Sequence, residues 1–160
     1  MFDNLVEKLK ANPKRIVYTE GTDARILESA ARLKKDGFLT PVLLGNVEDV
    51  KAAAAKGGFD IEGLEIIDPE NYDGMDAMVE QMVELRRGKM TADECRAALK
   101  KSNYFGTMLV KMGLVDSLLG GATYSTADTV RPALQLVKTK PGRHQVSSSV
   151  ILTRGDELYV

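Results

Sequence analysis

Residues 120–132, GGATYSTADTVRP, bring together two glycines, five hydroxyl side chains and an arginine beside a proline. Such a cluster suits an anion-binding turn that feeds a helix. The start of a helix leaves backbone N–H groups unpaired and carries partial positive charge, and glycine lets the backbone come close to a ligand. Thr123, Ser125, Thr126 and Thr129 can add hydroxyl donors around Gly121, and Arg131 offers phosphate oxygens a planar fork. The same residues also have a purely structural use. Ser125 with Asp128 forms an S-x-x-D capping pair, or Thr129 caps the helix with Pro132 in its first turn. Caps outnumber phosphate sites, so any single hydroxyl here favours the cap. The whole cluster leaves the two readings evenly balanced.

The elements that must hold this cluster can be traced outward from it. Leu114, Val115, Leu118 and Leu119 ahead of it suit a buried strand, and 133–138 behind it suit a helix. The turn then falls at a strand-to-helix junction, the sheet edge where open α/β folds bind ligands. Upstream, strand-like runs at 16–18, 41–44 and 64–67 alternate with helical patterns at 24–35 and 47–56. Gly37 ends the first of these helices, Asn46 caps the second, and Gly57 with Gly58 breaks it. Three β-α steps in about seventy residues predict a parallel sheet with helices on both faces. The middle is helical instead, at 75–87, 91–100 and 104–112, with a T-x-x-E box at Thr91 and Glu94. Six of the seven methionines fall in this part, where core filling is favoured over a mobile substrate-facing surface.

The two ends carry their own expectations. Phe2, Leu5, Val6 and Leu9 mark one face of a short helix, stopped by Pro13, that should dock on the core. Residues 146–153 read as a strand, 154–157 as a turn and 158–160 as the beginning of another strand. The last element stops unfinished, which suggests a truncated protein. KTKPGR at 138–143 is the candidate boundary, giving an α/β domain over 1–140 and the start of a second domain over 141–160.

Composition narrows the class further. With 160 residues the chain is long enough for one core without staples. The 22 basic and 23 acidic residues create no overall field for nucleic acid or an anionic membrane, so anion binding must be local. A single cysteine, Cys95, and a single histidine, His144, exclude a disulfide framework and a Cys/His zinc site, and no metal site is expected. A reduced, cytoplasmic setting fits, and no apolar stretch reaches the length of a membrane span.

Other motifs are weaker. No G-x-G-x-x-G follows the first strand, which disfavours a dinucleotide site, and the glycines at 58–63 lack the Lys and Ser/Thr of a P-loop. His144 lies in a PGRH turn and reads as a solvated loop residue rather than part of a triad. In the loop TEGTDAR at 19–25, Asp23 or Thr22 should cap the following helix while Glu20 pairs with Arg25, and the loop can wall the same cleft as the hydroxyl turn. Arg86, Arg87 and Lys89 gather at a predicted helix end, where they suit the helix dipole or, alternatively, a polyphosphate ligand.

Three segments carry a family resemblance: IVYTEGTDARILESAARL at 16–33, NYFGTMLVKMGLVDSLLGGATYSTADTVRPALQ at 103–135, and VSSSVIL at 146–152. Together they resemble the amino-terminal half of the phosphate acetyltransferases, and the similarity runs over essentially the whole chain. The resemblance implies a truncated parallel-sheet, three-layer α/β domain of the isocitrate/isopropylmalate-dehydrogenase-like kind, with an active site between two domains. The implied reaction is acetyl-CoA + phosphate = acetyl phosphate + CoA, with coenzyme A as a substrate and no cofactor. By resemblance Arg131 meets substrate, Arg86 in ELRRGK, or Arg87 beside it, is associated with coenzyme A, and Ser125 and Thr126 match the hydroxyls of the S-T-A-D-T segment. The same resemblance implies a homo-oligomer for the full-length enzyme and places its Ser-Arg pair and catalytic Asp in the carboxy-terminal half. These 160 residues alone are then expected to be inactive. A non-catalytic phosphate- or CoA-binding module and a phosphate butyryltransferase are the alternatives.

Overall fold

A computed structural model describes residues 3–143, 145–155 and 157–160. Phe2 and His144, both singled out from the sequence, lie outside the described residues. Helix α1 (Asp3–Ala11) leads into strand β1 (Lys14–Tyr18), followed by α2 (Ala24–Asp36), β2 (Leu39–Leu44), α3 (Val47–Gly57) and β3 (Glu65–Ile67). Helices α4 (Met75–Arg86), α5 (Ala92–Leu99) and α6 (Ser102–Lys111) intervene before β4 (Ser117–Leu119), α7 (Thr126–Pro132) and a π-helical turn (Ala133–Val137). A hairpin of β5 (Leu152–Arg154) and β6 (Glu157–Tyr159) ends the described chain.

The four longer-range strands form one parallel sheet in the order β3-β2-β1-β4. Alternation along β1 and β2 builds a core on each face, because successive side chains of a strand point to opposite sides. Val17, Val42 and Leu44 face the core made with α4, α5, α6 and the π-helical turn. Tyr18 and Leu43 face the second core, made with Ile26, Leu27 and Ala30 of α2 and Val50 and Ala54 of α3. The result is the three-layer α/β arrangement expected from the β-α rhythm. Met78, Met82 and Met108 are fully buried, so the methionines of the helical part fill the core.

Local chemistry sets the helix ends. Asp23 caps α2 and Gly37 closes it in the left-handed conformation, at φ 70°. Asn46 accepts from the N–H groups of Glu48 and Asp49 at the start of α3. The box at Thr91 forms in both directions: Glu94 N–H donates to Thr91 Oγ1 at 3.2 Å, and Thr91 N–H donates to Glu94 Oε2 at 2.8 Å. Thr91→Ala should therefore lower stability by about 1 kcal/mol, read as a shift of the urea midpoint.

Several sequence expectations are corrected. No residue of α1 is buried and Leu5 is 52% exposed, so this helix does not dock on the core. The run from Leu114 to Leu119 is not a buried strand: it yields only three strand residues at the sheet edge, with Leu114 and Leu119 exposed. Its start is consumed in closing α6, where Leu114 N–H donates to the Leu109 carbonyl and Gly113 takes φ 73°. Strand structure over 146–153 is confined to Leu152 and Thr153, and among the described residues no strand lies beside the three serines at 147–149. The predicted helix over 133–138 is π-helical, following directly on Pro132.

Candidate functional site

The hydroxyl-rich turn lies at the carboxyl end of β4, beside the loop that leaves β1. Because β1 and β4 are parallel neighbours, both loops reach the same edge of the sheet. The turn crosses close to its neighbour: a Cβ at Gly120 would meet Thr19 Oγ1 at 2.5 Å, and Gly121 takes φ 104°. Both glycines are thus required by contact and by conformation.

The backbone N–H groups of this turn point at a carboxylate supplied by the protein. Glu20, 8% exposed, accepts at Oε1 from the N–H groups of Thr123 (2.7 Å) and Tyr124 (3.1 Å). Gly121 N–H reaches both carboxylate oxygens at 3.2 Å, and Thr19 Oγ1 donates to Oε2 at 3.0 Å. Burial pushes the Glu20 carboxyl up, but the hydrogen bonds from Thr123, Tyr124, Thr19 and Gly121 outweigh it and hold the group below its ordinary value. The expected Glu20–Arg25 pair does not form. Arg25 is held by Asp23, at 2.9 and 2.8 Å, and donates to the Ala122 carbonyl at 2.7 Å. Each residue of the expected pair thus binds the turn: Glu20 takes its amides and Arg25 one of its carbonyls.

Asp23 is lowered to about 2, chiefly by the side-chain hydrogen bond from Arg25, against a smaller desolvation that raises it. Glu20 and Asp23 both have folded values below their unfolded ones. Their stabilisation is therefore complete above the ordinary carboxyl value of 4.5 or 3.8 and is lost as the pH falls through the folded values, toward about 2 for Asp23. Urea midpoints should fall across this acid window, with a shallower fall in Asp23→Asn.

The structure resolves the capping alternatives in favour of Ser125. Ser125 Oγ accepts from Asp128 N–H at 3.1 Å and donates to Asp128 Oδ2 at 2.6 Å. Thr129 lies inside α7, donating its hydroxyl to the Ser125 carbonyl at 3.1 Å. Thr126 is exposed as the first residue of α7. Helix α6 fixes this assembly from behind: Ser102 Oγ and Tyr124 Oη lie 3.0 Å apart, and Asn103 Nδ2 donates to the Asp128 carbonyl at 2.8 Å. Arg131 is exposed in the last turn of α7, and no described residue pairs with its guanidinium.

Gly121, Ser125, Thr126 and Thr129 are therefore brought together, and Arg131 follows on the same helix. Arg86 stands apart, at the carboxyl end of α4. There Lys138, which follows the π-helical turn, donates Nζ to the Leu85 carbonyl at 2.7 Å. Desolvation, then the charges of Arg87, Arg86, Lys111 and Lys89, pull the Lys138 ammonium below its ordinary value. These five cations form a patch, and the buried Nε of Arg86 has no hydrogen-bond partner. The twelve residues from Thr126 to Val137 separate this patch from the hydroxyl turn by roughly 15–18 Å of helix.

A cavity of about 640 Å³ opens at the carboxyl ends of β1, β2 and β3, with Glu20, Thr22, Asn46, Asp68, Lys100 and Ser102 in its lining. The helix starts around it are already served by Asp23, Asn46 and Ser125 with Asp128. Among the described residues no cluster of His, Cys, Asp and Glu could hold a metal ion, and no helix is long and apolar enough to cross a membrane. Sequence reasoning missed Glu20 as occupant of the turn and Lys138 as part of the basic patch. The signal for Glu20 was the acid in the loop that shares a sheet edge with two glycines.

The profile of the family described as phosphate acetyl/butaryl transferase matches residues 1–160. The chain belongs to this family. It is 45% identical over its whole length to a phosphate acetyltransferase of Bacillus subtilis, covering 50% of that protein. It is 43% identical over 156 residues to a phosphate acetyltransferase of Staphylococcus epidermidis, covering 47% of it. The chain thus spans about half the length of the curated relatives it matches. A solved phosphotransacetylase from Streptococcus pyogenes superposes with a TM-score of 0.92 at 46% identity, over 99% of this chain and 49% of that one. The EutD phosphotransacetylase from Staphylococcus aureus gives 0.90 at 42% identity, over 97% and 47%. The parallel-sheet α/β fold and the family expected from the sequence are therefore both established.

Proposed function

We propose that this chain supplies one wall of a phosphate acetyltransferase active site, in a reversible exchange of acetyl between coenzyme A and inorganic phosphate. The observation that carries this reading is the family match over all 160 residues, including the S-T-A-D-T segment and its unpaired Arg131. In the reaction the CoA sulfur and a phosphate oxygen exchange at the acetyl carbonyl, through a tetrahedral oxyanion. Fixed donors and cations beside the developing charge lower that barrier.

In this reading Arg131 is the catalytic arginine, offsetting the repulsion between two anionic substrates. Ser125, Thr126 and Thr129 border the phosphate, and Gly121 shapes the turn that presents them. Ser125 and Thr129 already use their hydroxyl protons within the helix start, so Thr126 is the hydroxyl left to donate. Arg86 receives the anionic end of coenzyme A, with the adjoining cations in support. Coenzyme A acts as substrate, and no prosthetic group is invoked. Residues 1–140 form the α/β domain and 141–160 lead into a second domain, as in a homo-oligomeric cytoplasmic enzyme of the length of the relatives.

The test mixes acetyl phosphate with coenzyme A and follows thioester absorbance. The 160-residue chain alone should give little turnover, and adding the carboxy-terminal half of the Bacillus subtilis relative should restore it. Strong turnover by the chain alone would overturn the division of the site between two halves. Saturable CoA binding without turnover after complementation would favour a non-catalytic binding module.

A further inference from the structure

The amides of Gly121, Thr123 and Tyr124 converge on one point, as they would on a bound phosphate, and Glu20 holds its carboxylate at that point. Thr19 Oγ1 donates from the β1 side, and the Thr123 hydroxyl lies 3.3 Å from Oε1. Glu20 leaves β1 immediately after the buried Thr19, so the strand fixes its backbone. The turn closes on it only because Gly120 carries no Cβ against Thr19 and Gly121 adopts φ 104°. Arg25, itself anchored on Asp23, holds the Ala122 carbonyl between the liganded amides.

We propose that Glu20 is a positioning residue whose carboxylate is the permanent occupant of this amide cradle, so that the turn offers substrate its Thr126 and Arg131 side rather than its backbone amides. This rests on the reading that phosphate binds beside the S-T-A-D-T segment. An amide cradle filled by a fixed carboxylate has no donor left for a second anion, and a phosphate placed there would meet a like charge. The carboxylate instead fixes where α7 begins. Tyr124 donates to it directly, and the next residue is the helix cap, Ser125.

Glu20→Ala removes the outer carbon and the carboxylate of the side chain, a fragment of the size of acetate. In this variant the cradle should accept free acetate. The thermal midpoint of Glu20→Ala should rise saturably with acetate and return toward wild type, while chloride at equal ionic strength does not do this and wild type shows no such rise. In the complemented assay the KM for phosphate should rise about tenfold in Glu20→Ala and recover with acetate, a loss of alignment rather than of chemistry. Amide NMR of the wild-type chain gives an answer that needs neither turnover nor a folded variant. Titrated inorganic phosphate should leave the Gly121, Thr123 and Tyr124 resonances in place, whereas acidification should shift all three together as Glu20 is protonated.

Saturable movement of those three resonances with phosphate, or an acetate response in Glu20→Ala no larger than in wild type, would overturn the proposal. If complementation yields no turnover from any variant, the acetyltransferase reading fails while the NMR and melting results still decide the role of Glu20.

Discussion

Arg131→Ala lowers kcat/KM for acetyl transfer by roughly ten- to a hundredfold in the complemented enzyme and leaves folding stability within about 0.5 kcal/mol of wild type. The size follows from removing charge-assisted hydrogen bonds to phosphate oxygens, which are stronger than neutral ones. The absence of a stability effect follows from the environment of the side chain. Arg131 is exposed in the last turn of a short helix and no described residue pairs with it, so truncation orphans nothing in the folded chain. Arg131→Lys should recover only part of the loss, since an ammonium offers a point charge where the guanidinium offers a fork. Steady-state rates with varied phosphate, beside urea unfolding of the same variants, separate the two effects. Equal losses in rate and stability would place Arg131 in the fold rather than in the reaction.

Phe105→Ala acts in the opposite way, destabilising the domain by about 3–5 kcal/mol, a large share of the 5–15 kcal/mol typical of a domain. Phe105 is fully buried in the core between the sheet and α4, α5 and α6. Its ring meets Tyr72 edge-on, with centroids 5.1 Å apart. Alanine removes that contact and leaves a cavity the surrounding helices cannot fill, whereas Phe105→Leu should lose far less. The effect reaches the candidate site because α6 carries Ser102 and Asn103, which brace Tyr124 and Asp128. Urea denaturation of the two variants measures it, and an alanine effect below about 1 kcal/mol would show that this core is loosely packed.

Most of the sheet was legible because its signals are local. Val17, Val42 and Leu44 alternate with Tyr18 and Leu43, and Asp23, Asn46, Thr91 and Ser125 each announce a helix start within a few residues. Expectations failed where a neighbour in space decides the outcome. The Leu114–Leu119 run is apolar enough for a buried strand, yet an edge position gives it one partner and exposes Leu119. Residues 146–153 have a strand-like composition, but among the described residues only Leu152 and Thr153 of this run pair, with β6. Glu20 and Arg25 looked like partners because they are close in sequence and opposite in charge. Each is instead committed to a turn about a hundred residues away, which no periodicity or spacing rule connects to them.

That separation also orders the assembly of the protein. The carboxylate of Glu20 precedes the amides it serves by 101 to 104 residues. A growing chain therefore contains the residues of β1, α2, β2, α3 and β3 before the amides that serve this acid have been made. Its burial must wait until β4 has docked against β1 and the turn beyond it has been synthesised. Closing so long a loop is slow, so the pairing of β4 with β1 that completes the sheet also gives this carboxylate its hydrogen bonds. The S-T-A-D-T hydroxyls follow Tyr124 directly, so their placement depends on a contact that spans about a hundred residues of chain.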